Sequence, residues 1–68
     1  MPGTYKITEL VGTSPTSFAE ATRAAVAEAA KTLRNMDWFQ VVEERGKIKD
    51  GAVAEFQVTL KIGFKIER

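Results

Sequence analysis

Residues 54–66, AEFQVTLKIGFKI, alternate with a period of two. Ala54, Phe56, Val58, Leu60, Ile62, Phe64 and Ile66 are apolar, and the residues between them are polar or glycine. This is the period of a β-strand with one buried side, because successive side chains leave opposite faces. Working back, the segment Trp38 to Arg45 carries Phe39 and Val41 at odd positions and Trp38, Gln40 and Glu44 at even ones. A hairpin that matches apolar faces sets Phe39 and Val41 on the Phe56 side. Trp38 then shares the polar side with Gln57. A large indole on a face its own subunit does not cover points to a ligand platform, a subunit contact, or both.

The connection between the two strands, GKIKDG over residues 46–51, allows two closures. Asp50-Gly51 makes a tight type I′ turn, or the Lys47–Asp50 segment belongs to a longer loop. The longer loop sets Gln40 opposite Gln57 and Trp38 opposite Thr59, so that Trp38 and Gln57 become diagonal neighbours. The tight turn leaves them several residues apart, to meet only through another subunit. In either case Arg45 counts on the opposite parity to Trp38, just before Gly46.

Upstream, YKITELV (Tyr5–Val11) reads as a first strand ended by Gly12, and TSPTS (Thr13–Ser17) as turn chemistry. Ser17 followed by Glu20 fits a capping box, in which hydroxyl and carboxylate reciprocally satisfy free amides. A helix is expected from Phe18 to about Arg34, with Phe18, Ala21, Ala25, Ala29 and Leu33 on one stripe. Lys31 and Arg34 fall in its last turn, where cations complement the dipole, and Asn35 suits a left-handed stop. A stripe made of alanine approaches a sheet closely but fills little volume. Phe39, Val41, Phe56, Val58, Leu60, Tyr5 and Ile7 are therefore expected to supply most of the core.

The order is β-α-β-β, an α+β chain read as a single domain over residues 1–68. The last strand, at about 13 to 15 residues, spans roughly 45 Å, whereas the helix spans about 25 Å. The strand is expected to overhang the helix at its Leu60–Ile66 end, where a neighbouring subunit is the simplest cover. Oligomerisation suits the size as well: 68 residues without cysteine make a marginal core with no disulfide to reinforce it.

Ten basic and nine acidic residues leave a net charge of +1, too little for a nucleic-acid surface. No apolar run approaches a membrane span, and no signal segment is evident. Absence of Cys fits the cytoplasm. Without His or Cys, the commonest general base, the best nucleophile and most transition-metal sites are excluded. Ser14 and Ser17 have no neighbouring base. Glu43 and Glu44, adjacent in a strand, face opposite sides and form no carboxylate pair. The five glycines make no phosphate cradle. A non-enzymatic role is the expectation.

Trp38 serves either as interface filler or as a stacking platform for a flat heteroaromatic ring. Gln57 both donates and accepts, matching a ring edge of alternating C=O and N–H groups. Arg45 is a hairpin-end cation or a partner for a phosphate. Lys61 and Lys65 read as solvated or rim charges.

AAKTLRNMDWFQVVEERG (29–46) and EFQVTLKIGF (55–64), with the early GTSPTSFAEA segment, closely resemble the dodecins over nearly the whole chain. The combination of L-R-N-x-D-W-F, E-x-R-G and F-Q-V-T-L-K is specific. The resemblance implies a three-stranded antiparallel sheet curled around one helix, assembling into a hollow homododecamer. It implies flavin held in stacked pairs between symmetry-related tryptophans matching Trp38, with Gln57 hydrogen-bonding the ring edge. Arg45 and Asp37 match family positions near the flavin. FMN is the implied flavin for a bacterial type, with riboflavin as an alternative. Photoprotective quenching is an implied second role. Coenzyme A is a further implied ligand, with Lys6, Arg34 and Lys65 as the basic positions to meet its phosphates. The rival expectation is a ligand-free shell or a coenzyme A-binding assembly protein.

Overall fold

Strand alternation is cleanest in the element that ends up in the middle of the sheet. The computed structural model describes residues 3–66. They form β1 (Tyr5–Ser14), α1 (Phe18–Ala29), β2 (Met36–Lys49) and β3 (Ala52–Lys65). The sheet order is β1-β3-β2, and β3 pairs antiparallel with both neighbours. The expected α+β, β-α-β-β architecture is thus present. β3 supplies the largest fully buried side chains, Val58 and Leu60, with Ile62 beside them.

The helix closes on the sheet through small residues. Ala21 and Ala25 are buried with Val58 and Leu60, against the partly buried Leu10 and Phe18, and Ala29 is buried one turn further on. Gly12 does not end β1; it pairs with Val58 inside the strand. A side chain there would overlap the Ala21 carbonyl oxygen and the Ala25 Cβ, so Gly12 sets how near the helix axis comes. Phe18 meets Phe56 edge to face at 5.0 Å between centroids, a favourable aromatic geometry.

Ser17 caps the helix as expected, its Oγ accepting from the Glu20 N–H at 3.0 Å. The reciprocal half of the box is absent. The Ser17 N–H donates to Ser14 Oγ at 3.4 Å, and the Glu20 carboxylate pairs with Arg23. α1 also stops earlier than expected, at Ala29. Its end tightens: the Lys31 and Thr32 amides donate three residues back, to Glu28 and Ala29, at 3.1 Å. Lys31 and Arg34 consequently lie beyond the last turn. Asn35 does adopt the left-handed conformation (φ 61°) that returns the chain into β2.

The hairpin takes the tight closure. Asp50 and Gly51 have φ of 54° and 77°, the type I′ signature, and the longer-loop alternative is not adopted. Phe39 pairs with Ile62 and Val41 with Leu60, on the apolar face as expected. They are less covered than a core requires, Phe39 being 53% exposed. The reason is placement: α1 lies over β1 and β3, leaving the helix side of β2 open.

Tyr5 and Ile7 are a correction. They pair with Lys65 and Gly63 and so point away from the helix; Ile7 is 54% exposed. β1 turns Leu10, Gly12 and Ser14 toward the helix instead. The overhang is also at the other end. Leu60 and Ile62 are covered by α1, while the hairpin tip projects, with Ile48 78% exposed. The helix begins beside Phe56, so the strand beyond Phe56 toward residue 52 is what outruns it. The molecule is elongated as a result, 53 × 20 × 13 Å. No helix of the described residues is long and apolar enough to cross a membrane.

Candidate functional site: the outer face of the sheet

Two groups of side chains occupy the sheet face remote from α1. The first surrounds Trp38, which pairs with Gly63 on the central strand. A Cβ on Gly63 would overlap indole atoms Cε2, Cζ2 and Cδ2, so the ring lies across the glycine in space a side chain would fill. This slot lets Trp38 cross the central strand toward β1. There its ring centroid is 6.4 Å from that of Tyr5, at an interplanar angle of 39°. Trp38 remains 40% exposed. Asp37 sits in a register irregularity between Met36 and Trp38, and its Oδ2 accepts from the Tyr5 hydroxyl at 2.8 Å. That hydrogen bond, and then the carboxylate's charge, push the Tyr5 phenol above its ordinary pKa.

The second group is a polar ladder. Arg45 Nη1 donates to Gln57 Oε1 at 3.3 Å, and Nη2 donates to Thr59 Oγ1 at 2.7 Å and to Glu43 Oε1 at 3.0 Å. Gln57 Nε2 donates to Glu55 Oε1 at 2.9 Å, which Lys47 approaches at 3.9 Å. Parity counting put Arg45 opposite Trp38. A bulge overturns that: between Val41 and Glu43 the register slips by one, so Arg45 pairs with Gln57 and joins the Trp38 face. One extra residue reverses the alternation of everything after it. Glu43 and Glu44 face opposite sides, as expected from adjacency.

A single subunit does not bring the two groups together. Gln57 lies six residues from Gly63 along β3, about 20 Å at ~3.3 Å per residue. The remaining basic positions gather at the Trp38 end without forming one cluster. Lys65 pairs with Tyr5 on the outer face, whereas Lys6 pairs with Phe64 and faces the helix side. Arg34 lines a hollow of about 550 Å³ built from residues 30–35. It adjoins Asn35, whose carbonyl accepts from the Lys65 N–H at 3.1 Å.

A flat, hydrogen-bonding ring system fits this face in kind: an indole with a free side, and a carboxamide fixed by neighbours on both of its atoms. Within one subunit the two stand about 20 Å apart along the strand.

The family model of the dodecins matches residues 4–67. The chain belongs to the dodecin family. A dodecin of Thermus thermophilus is 52% identical over 63 residues, covering 93% of this chain and 91% of the relative. Among solved structures, dodecin from Streptomyces davaonensis superposes with a TM-score of 0.95 at 46% identity, covering 100% of both chains. A more distant dodecin, the calcium chelating immunodominant antigen of Mycobacterium tuberculosis, has a TM-score of 0.82 at 28% identity, covering 94% of this chain and 91% of that one.

In this dodecin, the alternation of β3 already sets Gly63 and Thr59 on the outer face, but without a part in the site, while Tyr5 there is unexpected. Gly63 left a signal: a glycine inside a strand marks a place where another group approaches closely. Tyr5 left none, because the apolar Ile7 and Val11 share its parity and so assign it to the buried side.

Proposed function

We propose that the protein binds and stores flavin, FMN or riboflavin, as a cytoplasmic homododecamer, without catalysing a reaction. The observation that carries this reading is the indole laid across Gly63 with one side free, while Gln57 stands about 20 Å away along the same strand. A ring sandwiched on Trp38 must therefore take its edge hydrogen bonds from a second copy. The half-open β2 face and its long unpaired edge favour association with copies as well.

In this reading Trp38 and its symmetry mate enclose a flavin pair, and Gln57 orients the ring edge. Arg45 holds the Gln57 carboxamide in place and keeps donors for an FMN phosphate, since three of its five N–H groups are engaged. Asp37 acts through Tyr5. An electron-rich indole stacked on a light-excited flavin quenches it, giving photoprotection. Lys6, Arg34 and Lys65 would meet coenzyme A phosphates, the ligand of the alternative assembly reading. Lys6 and Lys65 face opposite sides of the sheet, so that ligand too would need more than one copy. Calcium chelation is a property of the Mycobacterium tuberculosis relative. Here, among the described residues, no group of three or more His, Cys, Asp or Glu side chains gathers.

The test is to purify the protein without added flavin, extract its ligand, and identify it by mass alongside the native assembly mass. A flavin released from a dodecamer is expected. A dodecamer with no bound flavin that also fails to take up FMN supports the ligand-free shell.

A further inference from the structure

The outer face holds a continuous path from indole to carboxylate that flavin stacking alone does not use. The chain has one tryptophan and one tyrosine, and the fold sets them side by side, 6.4 Å between centroids. This proximity has a structural cause. Trp38 and Tyr5 are on the two outer strands, and only the missing side chain of Gly63 on the central strand lets the indole reach across. The phenol's one hydrogen-bond acceptor is a carboxylate, Asp37 Oδ2 at 2.8 Å, which sits in the bulge next to Trp38 itself. No cation pairs with Asp37 among the described residues, so the phenol is the group its carboxylate meets.

We propose that Tyr5 and Asp37 form a proton-coupled electron relay to Trp38, in which Tyr5 refills the indole after one-electron oxidation while Asp37 takes the phenol proton. The steps balance. An oxidant, here a photoexcited isoalloxazine, accepts one electron from the Trp38 indole. One electron then passes from Tyr5 to Trp38, restoring the indole. The phenol O–H bond breaks and its proton moves to Asp37 Oδ2, leaving a neutral tyrosyl radical and a protonated carboxyl. When the electron comes back from the reduced acceptor to Tyr5, the same proton returns along the same hydrogen bond. The chemistry favours the direction: at neutral pH a phenol that can shed its proton is somewhat easier to oxidise than an indole. The raised phenol pKa keeps Tyr5 protonated at rest, so the proton is available to move. The relay carries the hole off the residue that holds the ring, sparing Trp38 from irreversible oxidation.

The flavin as oxidant rests on the function proposed above, so the test begins without it. Azide radicals from pulse radiolysis of the flavin-free protein oxidise tryptophan selectively. In the wild type the indolyl absorption should decay into the tyrosyl absorption in one first-order process, independent of protein concentration. Tyr5→Phe, which keeps the ring, should leave the indolyl radical long-lived. Asp37→Asn should slow the conversion by about a hundredfold, the low side of what a positioned base contributes. Absence of conversion in the wild type, or an unchanged rate in Asp37→Asn, overturns the relay. A second arm loads FMN, illuminates, and counts oxidised Trp38 by peptide mass. Faster loss of Trp38 in Tyr5→Phe supports the relay acting on flavin. If the radiolysis conversion holds but Tyr5→Phe does not change Trp38 loss under light, the relay stands and its coupling to flavin is refuted.

Discussion

Replacing Gly63 by alanine should disable the Trp38 platform while leaving every polar group in place. The new methyl would occupy space already taken by Cε2, Cζ2 and Cδ2 of the indole. Either the ring leaves the slot or the strands shift, and inserting a methyl into filled space costs about 1–3 kcal/mol. A ceiling follows from burial. Trp38 is 40% exposed, so it covers at most the low end of an aromatic residue's burial, about 150 Å². At ~25 cal/mol per Å², complete expulsion would cost about 4 kcal/mol. We expect about 2 kcal/mol. The assay combines thermal unfolding with emission from the lone tryptophan and FMN titration. Gly63→Ala should lower Tm, shift the emission to the red, and weaken FMN binding by more than about tenfold, since 1.4 kcal/mol is a factor of ten. Unchanged emission together with wild-type FMN affinity would refute the reasoning, because the slot would then play no part in positioning the indole.

Gly12→Ala should destabilise through the helix contact, since its Cβ would meet the Ala21 carbonyl and the Ala25 Cβ. A cost of about 2 kcal/mol corresponds to roughly 8–16 °C in a domain of this size, read by thermal unfolding, with the emission of folded Trp38 unchanged. Arg45→Ala removes donors to Gln57, Thr59 and Glu43. Arg45 is partly exposed, so the loss should be only about 1 kcal/mol. FMN affinity should fall more than riboflavin affinity, checked by paired titrations; equal losses would remove the phosphate role. Tyr5 gives a pH prediction. Its phenol is raised by the Asp37 hydrogen bond and charge, so the folded state favours the protonated form. That stabilisation is fully present below the unfolded phenol pKa of about 10 and is lost as pH rises through the higher folded value. Ultraviolet titration of the lone tyrosine should show a midpoint above that of the unfolded chain, falling in Asp37→Ala.

The fold was legible where local chemistry and global placement agree. The central strand announces itself by alternation, because β3 has one face under the helix along much of its length. Asp50-Gly51 marks the tight turn as one of two closures, and the structure takes it because both residues adopt positive φ. Ser17 announces the helix start. Trp38 on the outer face followed from parity before any bulge intervenes. The failures share a cause: each depended on three-dimensional fit that no local pattern records. Arg45 changed faces because the sheet inserts Val42 as an extra residue, and nothing in the apolar-polar alternation of VVEER marks that slip. Tyr5 and Ile7 were assigned to the core because they are apolar, yet the register with β3 turns them outward. The helix ended early because its alanine stripe meets the sheet only as far as Ala29. Gly63 looked like an ordinary polar-face position, since its purpose appears only once an indole from the next strand lies over it.

The central claim is that Trp38 is a platform for a flavin completed by a second copy of the chain. Titrating FMN into the flavin-free assembly while following Trp38 emission tests it most directly. Stacking on the indole predicts that the emission is quenched in proportion to bound FMN, with a break at one flavin per chain. FMN binding that leaves the emission unquenched, or a titration with no break at all, would contradict the account.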